Sequence, residues 1–206
     1  MKGITVLCGK SGAGKTTLLN MIAGLVRPDE GSIVCGDVRF FDSRPGSPAD
    51  LPPERRGVGY VFQQHRLFSH ISVEGNLLFA SRYCGRKLDG GRFSKVVETL
   101  DIGHLLHRRP ATLSGGEGQR VAIGRALLAS DSLLLMDEPL SSLDTERKEE
   151  ILGYIASVGR DFKTPILYVT HSHDEAGRLA DRVLPVKDGR AEGVRSCTEF
   201  FAFGQN

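Results

Sequence analysis

The sequence has few cysteines, no long hydrophobic run and no excess of charge of one sign. Its four cysteines are scattered, without a CxxC pair or histidines at metal-ligand spacing, which argues against a disulfide framework or a metal site and favours a reduced, cytosolic setting. No stretch of about 18 consecutive apolar residues occurs, and no charged-then-apolar leader opens the chain, so we expect it neither to enter nor to span a membrane alone. The 27 basic and 25 acidic residues are interspersed, and this balance gives no indication of a nucleic-acid partner.

The composition is that of an ordinary globular protein with extra glycine. Hydrophobic residues make up 40% of the 206 residues and charged residues 25%. A chain of this length is long enough to bury a core as one domain. The 25 glycines exceed the usual share of roughly 7%. Tight turns and phosphate-binding loops would explain the excess.

Apolar runs alternate along the chain with segments of helical periodicity. This alternation predicts an α/β fold, in which a mostly parallel sheet is flanked by helices. An exposed loop rich in proline, glycine and serine is expected at residues 43–53. The predicted strands are residues 4–8, 33–41 with a break at 36–37, 58–62, 133–136, 166–170 and 183–186, and the predicted helices of this part are 15–25, 145–158 and 174–179.

The central third of the chain has helical periodicity throughout, with predicted helices at residues 73–83, 93–100 and 117–128. We interpret it as a helical insert. The prediction is one domain, residues 1–206, divided into a core of residues 1–63 and 131–195, a helical subdomain of residues 64–130, and a C-terminal helix of residues 196–206 whose aromatic residues pack on the body.

A segment directly after the first predicted strand fits the pattern GxxxxGK[ST]. In this pattern glycines let successive backbone N–H groups turn inward around phosphate oxygens, at the start of a helix that favours an anion. We expect Lys15 to contact the β- and γ-phosphates and Thr16 to offer its hydroxyl to Mg²⁺. A plain glycine turn is the alternative, and the strand before and helix after argue against it. The predicted nucleotide-binding residues are Gly9, Lys10, Ser11, Gly12, Ala13, Gly14, Lys15, Thr16 and Thr17.

Two acidic residues follow the apolar run 133–136. Asp137 ends this predicted strand, so its carboxylate is expected at the sheet edge as a ligand of Mg²⁺, and Glu138 is placed to accept a proton from an attacking water. An acidic pair alone commonly caps a strand or starts a turn. Together with the phosphate loop, the pair predicts a protein that binds ATP and hydrolyses it.

The stretch LSGGEGQR, from Leu113 to Arg120, resembles the signature sequence of the nucleotide-binding subunits of ABC transporters. The resemblance extends to Tyr60-Val61-Phe62-Gln63, which is similar to the segment ending in the Q-loop glutamine, to Ser141-Ser142-Leu143-Asp144, which is similar to the D-loop, and to Val169-Thr170-His171, which is similar to the switch-histidine segment. It covers nearly the whole chain. It implies a P-loop NTPase fold with a RecA-like core and an inserted helical subdomain that carries the signature.

The resemblance also implies residue roles. Gln63 would touch Mg²⁺ or the lytic water, and His171 would contact the γ-phosphate, although either residue taken alone is more typical of a surface position or a strand end. Ser114, Gly115 and Gly116 would grip the γ-phosphate of ATP held by an opposite subunit. Asp144 would support the phosphate loop of that partner across the dimer.

The implied partners are a second copy of the chain, which encloses two Mg-ATP molecules, and integral membrane permease subunits. A periplasmic or extracellular solute-binding protein would act indirectly, and no nucleic acid is expected. The implied location is cytoplasmic, peripheral on the inner face of the plasma membrane.

Three further segments resemble bacterial importer ATPases, most closely those of molybdate uptake: residues 52–60, 66–70 and 75–77. The ATPases of sulfate, iron, polyamine and sugar importers have similar sequences in these segments. The expected solute is therefore molybdate or a like tetrahedral oxyanion such as tungstate, with the other solutes open.

Three departures from the family pattern qualify the resemblance. The sequence begins too late to contain the family's adenine-stacking aromatic, so we expect an N-terminally shortened chain, and it ends before any C-terminal oxyanion-sensing domain. Glu117-Gly118 replaces the more usual pairings after the signature glycines.

Two alternatives stay open: a chromosome or repair ATPase, or a non-hydrolysing remnant. The first is disfavoured because only about fifty residues without sustained heptads separate Gln63 from Ser114.

Overall fold

The structure is a computed structural model that describes residues 3–46, 48–83 and 89–203. Within these residues the strands are β1 (Ile4–Cys8), β2 (Ser32–Cys35), β3 (Val38–Asp42), β4 (Ala49–Asp50), β5 (Val58–Val61), β6 (Leu133–Asp137), β7 (Ile166–Thr170), β8 (Arg182–Lys187), β9 (Arg190–Ala191) and β10 (Arg195–Ser196). The helices are α1 (Lys15–Ala23), α2 (Val73–Leu77), α3 (Phe79–Tyr83), α4 (Gly90–Thr99), α5 (Gly115–Ala129), α6 (Thr145–Asp161), α7 (His173–Leu179) and α8 (Cys197–Phe203).

Seven strands form the main sheet, in the order β10-β8-β1-β7-β6-β5 with β9 paired to β8. The strands from β8 to β5 run parallel to their neighbours, whereas β9 and β10 are antiparallel to β8. The predicted fold class, a mostly parallel sheet flanked by helices, is confirmed.

Alternate side chains of the central strands build two cores, one on each face of the sheet. On one face Leu7, Leu135 and Val169 pack with Leu19 of α1. On the other face their neighbours in sequence pack against α5, α6 and α7 in a larger cluster. Because both faces are covered, these strands are continuous apolar runs rather than alternating ones, and the runs themselves located the strands in the sequence.

Helix α1 is shorter than predicted. Gly24 follows it with a φ of 82°, and its N–H donates to the carbonyl of Met21, which ends the helix at Ala23. A left-handed glycine after the last turn is a common helix stop. The prediction that the helix reaches residue 25 was therefore wrong by two residues.

The described residues between β5 and β6 contain helices α2 to α5 and short 3₁₀ turns. The predicted helix 73–83 is divided in two, because Leu78 leaves helical geometry with a ψ of 0° while the apolar pattern continues past it. The helix predicted at 93–100 begins earlier, at Gly90, where Asp89 caps it.

Three short strands were not predicted. β4 lies in the segment expected to be a loop and pairs with β3 in a small antiparallel sheet of β2, β3 and β4, while residue 47 of that segment lies outside the described residues. β9 and β10 each contain two residues and are defined by pairing with β8. The C-terminal helix was predicted for residues 196–206; α8 accounts for Cys197–Phe203, and residues 204–206 are not among those described.

Helix α5 lies directly against β5. A Cβ atom on Gly59 would lie 2.1 Å from the carbonyl oxygen of Ala126, a backbone atom that cannot move aside. Only glycine permits this approach. The close contact fixes the signature helix relative to the strand that leads to Gln63.

Across the described part of the chain, no helix has both the length and the apolar character needed to cross a bilayer.

Candidate active site

The loop after β1 and the ends of β6 and β7 meet at one edge of the sheet. Cys8 lies across from Thr170, and Asp137 lies across from Val169. Because these three strands are parallel, the residues that follow them share the carboxyl edge of the sheet. The phosphate loop, the acidic pair and the switch histidine are therefore neighbours in the fold.

The loop of residues 9–14 leads from β1 into helix α1. Gly14, just before α1, has a φ of 92°, in the left-handed region that glycine adopts without strain. Within the described chain, the N–H groups of Gly12, Lys15 and Thr16 donate no hydrogen bond. Such free donors at the start of a helix, together with the helix dipole, favour an anion. The loop therefore fits a phosphate group.

Lys15 holds its ammonium group at the same loop. Its side chain is only 5% exposed, and Nζ donates to the carbonyl oxygens of Gly9 (2.7 Å) and Lys10 (2.9 Å). A phosphate oxygen is a stronger, charged acceptor than a carbonyl. A cleft of about 550 Å³ lined by residues 9–13 and 186–188 lies beside the loop.

Asp137 is bonded through both carboxylate oxygens. The hydroxyl of Thr16 donates to Oδ1 at 3.1 Å, and the hydroxyl of Tyr60 lies 3.3 Å from Oδ2. The Tyr60 hydroxyl also contacts Oδ1 of Asn20 at 3.0 Å. A hydroxyl and a carboxylate side by side supply the hard oxygen ligands that Mg²⁺ prefers, so the pair fits this ion.

Burial raises the pKa of the Asp137 carboxyl above its ordinary value, and the neighbouring charge of Glu138 acts in the same direction, against the hydrogen bonds from Thr16 and Tyr60. Burial, with the nearby Asp137 carboxylate, also raises the pKa of the Tyr60 phenol, which therefore stays protonated as a donor. A buried carboxylate whose ionised form is disfavoured gains from a cation at its side.

Glu138 has a backbone φ of 45°, in the left-handed region that non-glycine residues rarely adopt. Its N–H donates to the carbonyl of Val169, which holds the residue at the end of β7. Oε2 lies 3.1 Å from Nδ1 of His171, and the two side chains are 26% and 63% exposed. Strained backbone of this kind clusters at functional sites, where the surroundings hold it in place.

Gln63 is exposed and follows β5, whose residue Val61 lies across from Met136 of β6. It therefore lies beyond the same edge of the sheet as Asp137. Within the described residues no hydrogen bond joins Gln63 to Thr16 or Asp137. The flanking aromatic Phe62 stacks on Tyr60 with ring centroids 4.1 Å apart.

Ser114 caps helix α5. Its Oγ accepts from the N–H of Glu117 at 3.3 Å, and Oε2 of Glu117 accepts from the N–H of Ser114 at 2.6 Å, so the two form a capping box. Nη1 of Arg108 lies 3.1 Å from the other carboxylate oxygen of Glu117. These bonds hold Ser114 exposed at the tip of helix α5, with Gly116 buried behind it.

The D-loop lies beside this tip. A Cβ atom on Gly115 would lie 3.5 Å from Cδ2 of Leu143, which is ordinary contact. Asp144 caps α6 by accepting from the N–H of Arg147 at 3.0 Å, and it pairs with the guanidinium of the same residue at 3.1 Å. Ser114 and Asp144 therefore share one surface.

The structure brings the predicted site residues together in two groups. The first comprises the phosphate loop with Asp137, Glu138 and His171. The second comprises the signature residues 114–116 with Asp144. No hydrogen bond or ion pair between described residues joins the two groups.

The departures after the signature glycines have local causes. Glu117 completes the capping box, which the spacing S-x-x-E at residues 114–117 could have predicted. Gly118 leaves room for His65, because a Cβ atom there would lie 2.8 Å from Nδ1 of the histidine. Burial lowers the pKa of His65, which favours its neutral form at this contact.

Sequence reasoning gave no role to Tyr60, Asn20 or Arg108. Tyr60 stood in the segment similar to the Q-loop, and a phenol in an otherwise apolar strand was the available signal. Asn20, one turn after Thr16 on α1, carried no signal of its own.

A family model described as ABC transporter matches residues 1–141. Among curated relatives, the molybdenum import ATP-binding protein ModC of Paramagnetospirillum magneticum is 59% identical over 187 residues, which are 91% of this chain and 51% of that protein. The ModC proteins of Brucella melitensis and Rhodospirillum rubrum are 52% and 54% identical, over 97% and 98% of this chain and 55% and 54% of theirs. The chain spans about half the length of the curated relatives it matches.

Two solved structures share the fold. CbiO1 from Clostridium perfringens, described as part of the ABC transporter complex CbiONQ, has a TM-score of 0.81 and 27% identity over 98% of this chain and 80% of its own. A bacterial ABC transporter cassette solved as a dimer has a TM-score of 0.74 and 28% identity over 95% of this chain and 85% of its own. These likenesses give no support to the chromosome or repair alternative.

Proposed function

The chain belongs to the ABC transporter family, and we propose that it is the ATP-binding and ATP-hydrolysing subunit of an importer for molybdate or a similar oxyanion. The observation that carries the proposal is the meeting, at one sheet edge, of the phosphate loop, the Thr16–Asp137 pair and the Glu138–His171 pair. These are the parts that phosphoryl transfer to water requires: a charged cradle, metal ligands and a base.

The chain's own residues divide the chemistry of ATP hydrolysis. The N–H groups of the loop and the ammonium of Lys15 neutralise the phosphates as charge develops on them. Glu138 accepts a proton from the attacking water, and His171 contacts the γ-phosphate. Glu138 and His171 contact each other through Oε2 and Nδ1, which leaves Oε1 of Glu138 for the water and Nε2 of His171 for the phosphate.

Thr16, Asp137 and Gln63 would hold Mg²⁺, which when bound neutralises charge on the β- and γ-phosphate oxygens. Gln63 is exposed, and among the described residues no hydrogen bond joins it to the other two.

A second copy of the chain would complete the site. Ser114 is exposed at the tip of helix α5, Gly115 is half-buried and Gly116 is buried behind them, and Asp144 lies beside the tip. This surface offers N–H donors to a phosphate on another molecule. ATP would then join two copies head to tail, and its hydrolysis would loosen the interface and drive a change elsewhere.

The domain division expected from the sequence belongs to the same proposal: a core of residues 1–63 and 131–195, a helical subdomain of residues 64–130, and the C-terminal helix. The work would be passed to membrane permease subunits at the inner face of the plasma membrane, with a solute-binding protein acting indirectly and no nucleic acid involved. Support for molybdate comes from the names of the relatives.

Mixing two inactive variants tests the composite site. Glu138→Gln removes the base, and Ser114→Arg blocks the helix tip, so homodimers of either are expected not to hydrolyse ATP. In a mixed dimer one site combines an intact Glu138 with an intact Ser114. Random mixing should restore up to about a quarter of the wild-type rate, because about half of the dimers are mixed and each has one intact site of two.

As the control, each variant is taken alone through the same mixing procedure and should stay inactive. Absence of restored hydrolysis, with mixed dimers verified by mass spectrometry, would contradict the two-copy site.

A second experiment tests the solute. ATP hydrolysis is measured in proteoliposomes that contain the co-purifying permease, with molybdate or with sulfate, and molybdate should stimulate it more. Equal stimulation by sulfate would exclude molybdate specificity.

A further inference from the structure

Both oxygens of the Asp137 carboxylate are linked to helix α1, one directly and one through Tyr60 of β5. Thr16 bonds Oδ1 directly at 3.1 Å. Asn20 reaches Oδ2 through the hydroxyl of Tyr60, over distances of 3.0 Å and 3.3 Å. Thr16 and Asn20 are four residues apart, so they share one face of the helix.

The packing of Tyr60 explains why its hydroxyl lies between Asn20 and Asp137. It belongs to the core cluster that packs α1 against the sheet, on the same face as Leu133 and Leu135 of β6. Asp137 follows at the next position of that face, because alternate residues of a strand point to the same side. Phe62 supports the phenol ring from outside, stacked at 4.1 Å and 17°.

When Asp137 is ionised, one arrangement of the hydrogens satisfies every partner. Tyr60 has one hydroxyl hydrogen, but Oδ1 of Asn20 and Oδ2 of Asp137 are both acceptors. A half-turn of the Asn20 amide exchanges its oxygen and nitrogen, which are not distinguished by shape. Asn20 then donates to Tyr60, and Tyr60 donates to Asp137.

We propose that Tyr60, oriented by Asn20, is a positioning residue that fixes the carboxylate of Asp137 for Mg²⁺ binding. The inference rests on the proposed function. Both partners of Asp137, Thr16 and Tyr60, are neutral, so they orient the carboxylate without cancelling its charge. A lysine or arginine in the place of Tyr60 would compete with the cation. Groups that orient a metal ligand in this way typically change metal affinity when they are removed.

Tyr60→Phe isolates the hydroxyl, because the phenylalanine keeps the packing with Phe62. Tyr168→Phe is the matched control: Tyr168 is a fully buried tyrosine of the neighbouring strand β7, in the core on the opposite face of the sheet, and its hydroxyl bonds Glu175 at 2.8 Å. Asn20→Ala removes the outer member of the chain and leaves the Tyr60 hydroxyl in place.

The experiment measures binding of Mn²⁺, as a paramagnetic probe for Mg²⁺, to the chain saturated with a non-hydrolysable ATP analogue. Tyr60→Phe should weaken Mn²⁺ binding about tenfold and Asn20→Ala about threefold, whereas Tyr168→Phe should match the wild type. Affinity for the analogue without metal should be unchanged in Tyr60→Phe. Thermal unfolding without nucleotide or metal checks that each variant is folded.

Equal Mn²⁺ affinity in Tyr60→Phe and the wild type would overturn the inference. An equal loss in Tyr168→Phe would overturn it as well, since the effect would then follow from any lost buried hydroxyl. If the wild type binds the analogue and Mn²⁺ normally, the proposed function stands in either case. If the wild type binds neither, the proposed function fails and the role of Tyr60 fails with it.

Discussion

The phosphate-loop edge and the signature tip differ in how completely their functional groups are satisfied within one chain. At the loop, backbone N–H groups lack partners, Asp137 is buried with its ionised form disfavoured, and Glu138 has a left-handed backbone. At the tip, Ser114 and Asp144 each cap the helix that carries them. The start of α1 therefore has no side-chain cap, whereas a capping box closes the start of α5.

In the proposed function, the phosphate-loop edge performs the chemistry and the signature tip meets the second copy. A cluster that is unsatisfied without ligand gains most when phosphate and metal arrive, so ligand binding there can change the shape of the chain. A surface that is locally satisfied keeps its geometry until another molecule meets it, so little ordering is needed on contact.

The largest expected effect tests whether the loop edge performs the chemistry. Glu138→Gln keeps the size of the side chain and removes its basicity, so turnover should fall by about two to four orders of magnitude while ATP still binds. Phosphate release measures turnover, and binding of a fluorescent nucleotide measures affinity. Glu149→Gln, an exposed acid of α6 paired with Arg178, should change neither. Hydrolysis at the wild-type rate in Glu138→Gln would show that Glu138 is not the base.

The next effect sharpens the comparison at the signature tip. Ser114→Ala removes the acceptor of the Glu117 N–H, so the free energy of unfolding should fall by about 1 kcal/mol without nucleotide. Urea denaturation measures it. Ser157→Ala serves as the control, because Ser157 lies within α6 and bonds back to the carbonyl of Gly153, a position where alanine is tolerated. Equal stability of Ser114→Ala and the wild type would mean that the tip is not stabilised by its own cap.

The smallest expected effect is an increase in stability rather than a loss. Burial raises the pKa of Asp137 in the folded chain, so stability is lost as the pH rises from the ordinary carboxyl value through the raised one. Asp137→Asn should therefore raise the melting temperature of the nucleotide-free chain at pH 7. The gain should shrink as the pH falls and vanish below the ordinary carboxyl value of 3.8, where folded and unfolded chains are both protonated.

Calorimetry across this pH range measures the gain. A melting temperature of Asp137→Asn that stays below that of the wild type at every pH would show that the hydrogen bonds of Asp137 outweigh its burial.

Much of the loop edge could be predicted because its signals are local. Residues 4–8 and 166–170 are buried apolar runs with the bounds predicted for them, and parallel pairing brings the residues after each strand to one edge of the sheet. The helix after the signature serine was predicted from residue 117 and begins at Gly115, where the capping box of Ser114 and Glu117 starts it.

The rest depends on contacts between distant segments. The two-residue strands β9 and β10 exist through their pairing with β8, and no periodicity marks so short an element. The bond between Tyr60 and Asp137 joins residues 77 positions apart, in neighbouring strands and diagonally across them. A single phenol in an apolar strand was the available signal, and it does not say which distant residue the hydroxyl bonds.

The left-handed conformation of Glu138 also bears on how such a chain changes over generations. Glycine would relax the backbone at this position, so variants selected for folding alone should drift toward it and give up the carboxylate. Retaining glutamate there requires a selective pressure other than thermostability. A simple competition between stability-selected and growth-selected libraries would reveal which pressure acts on residue 138.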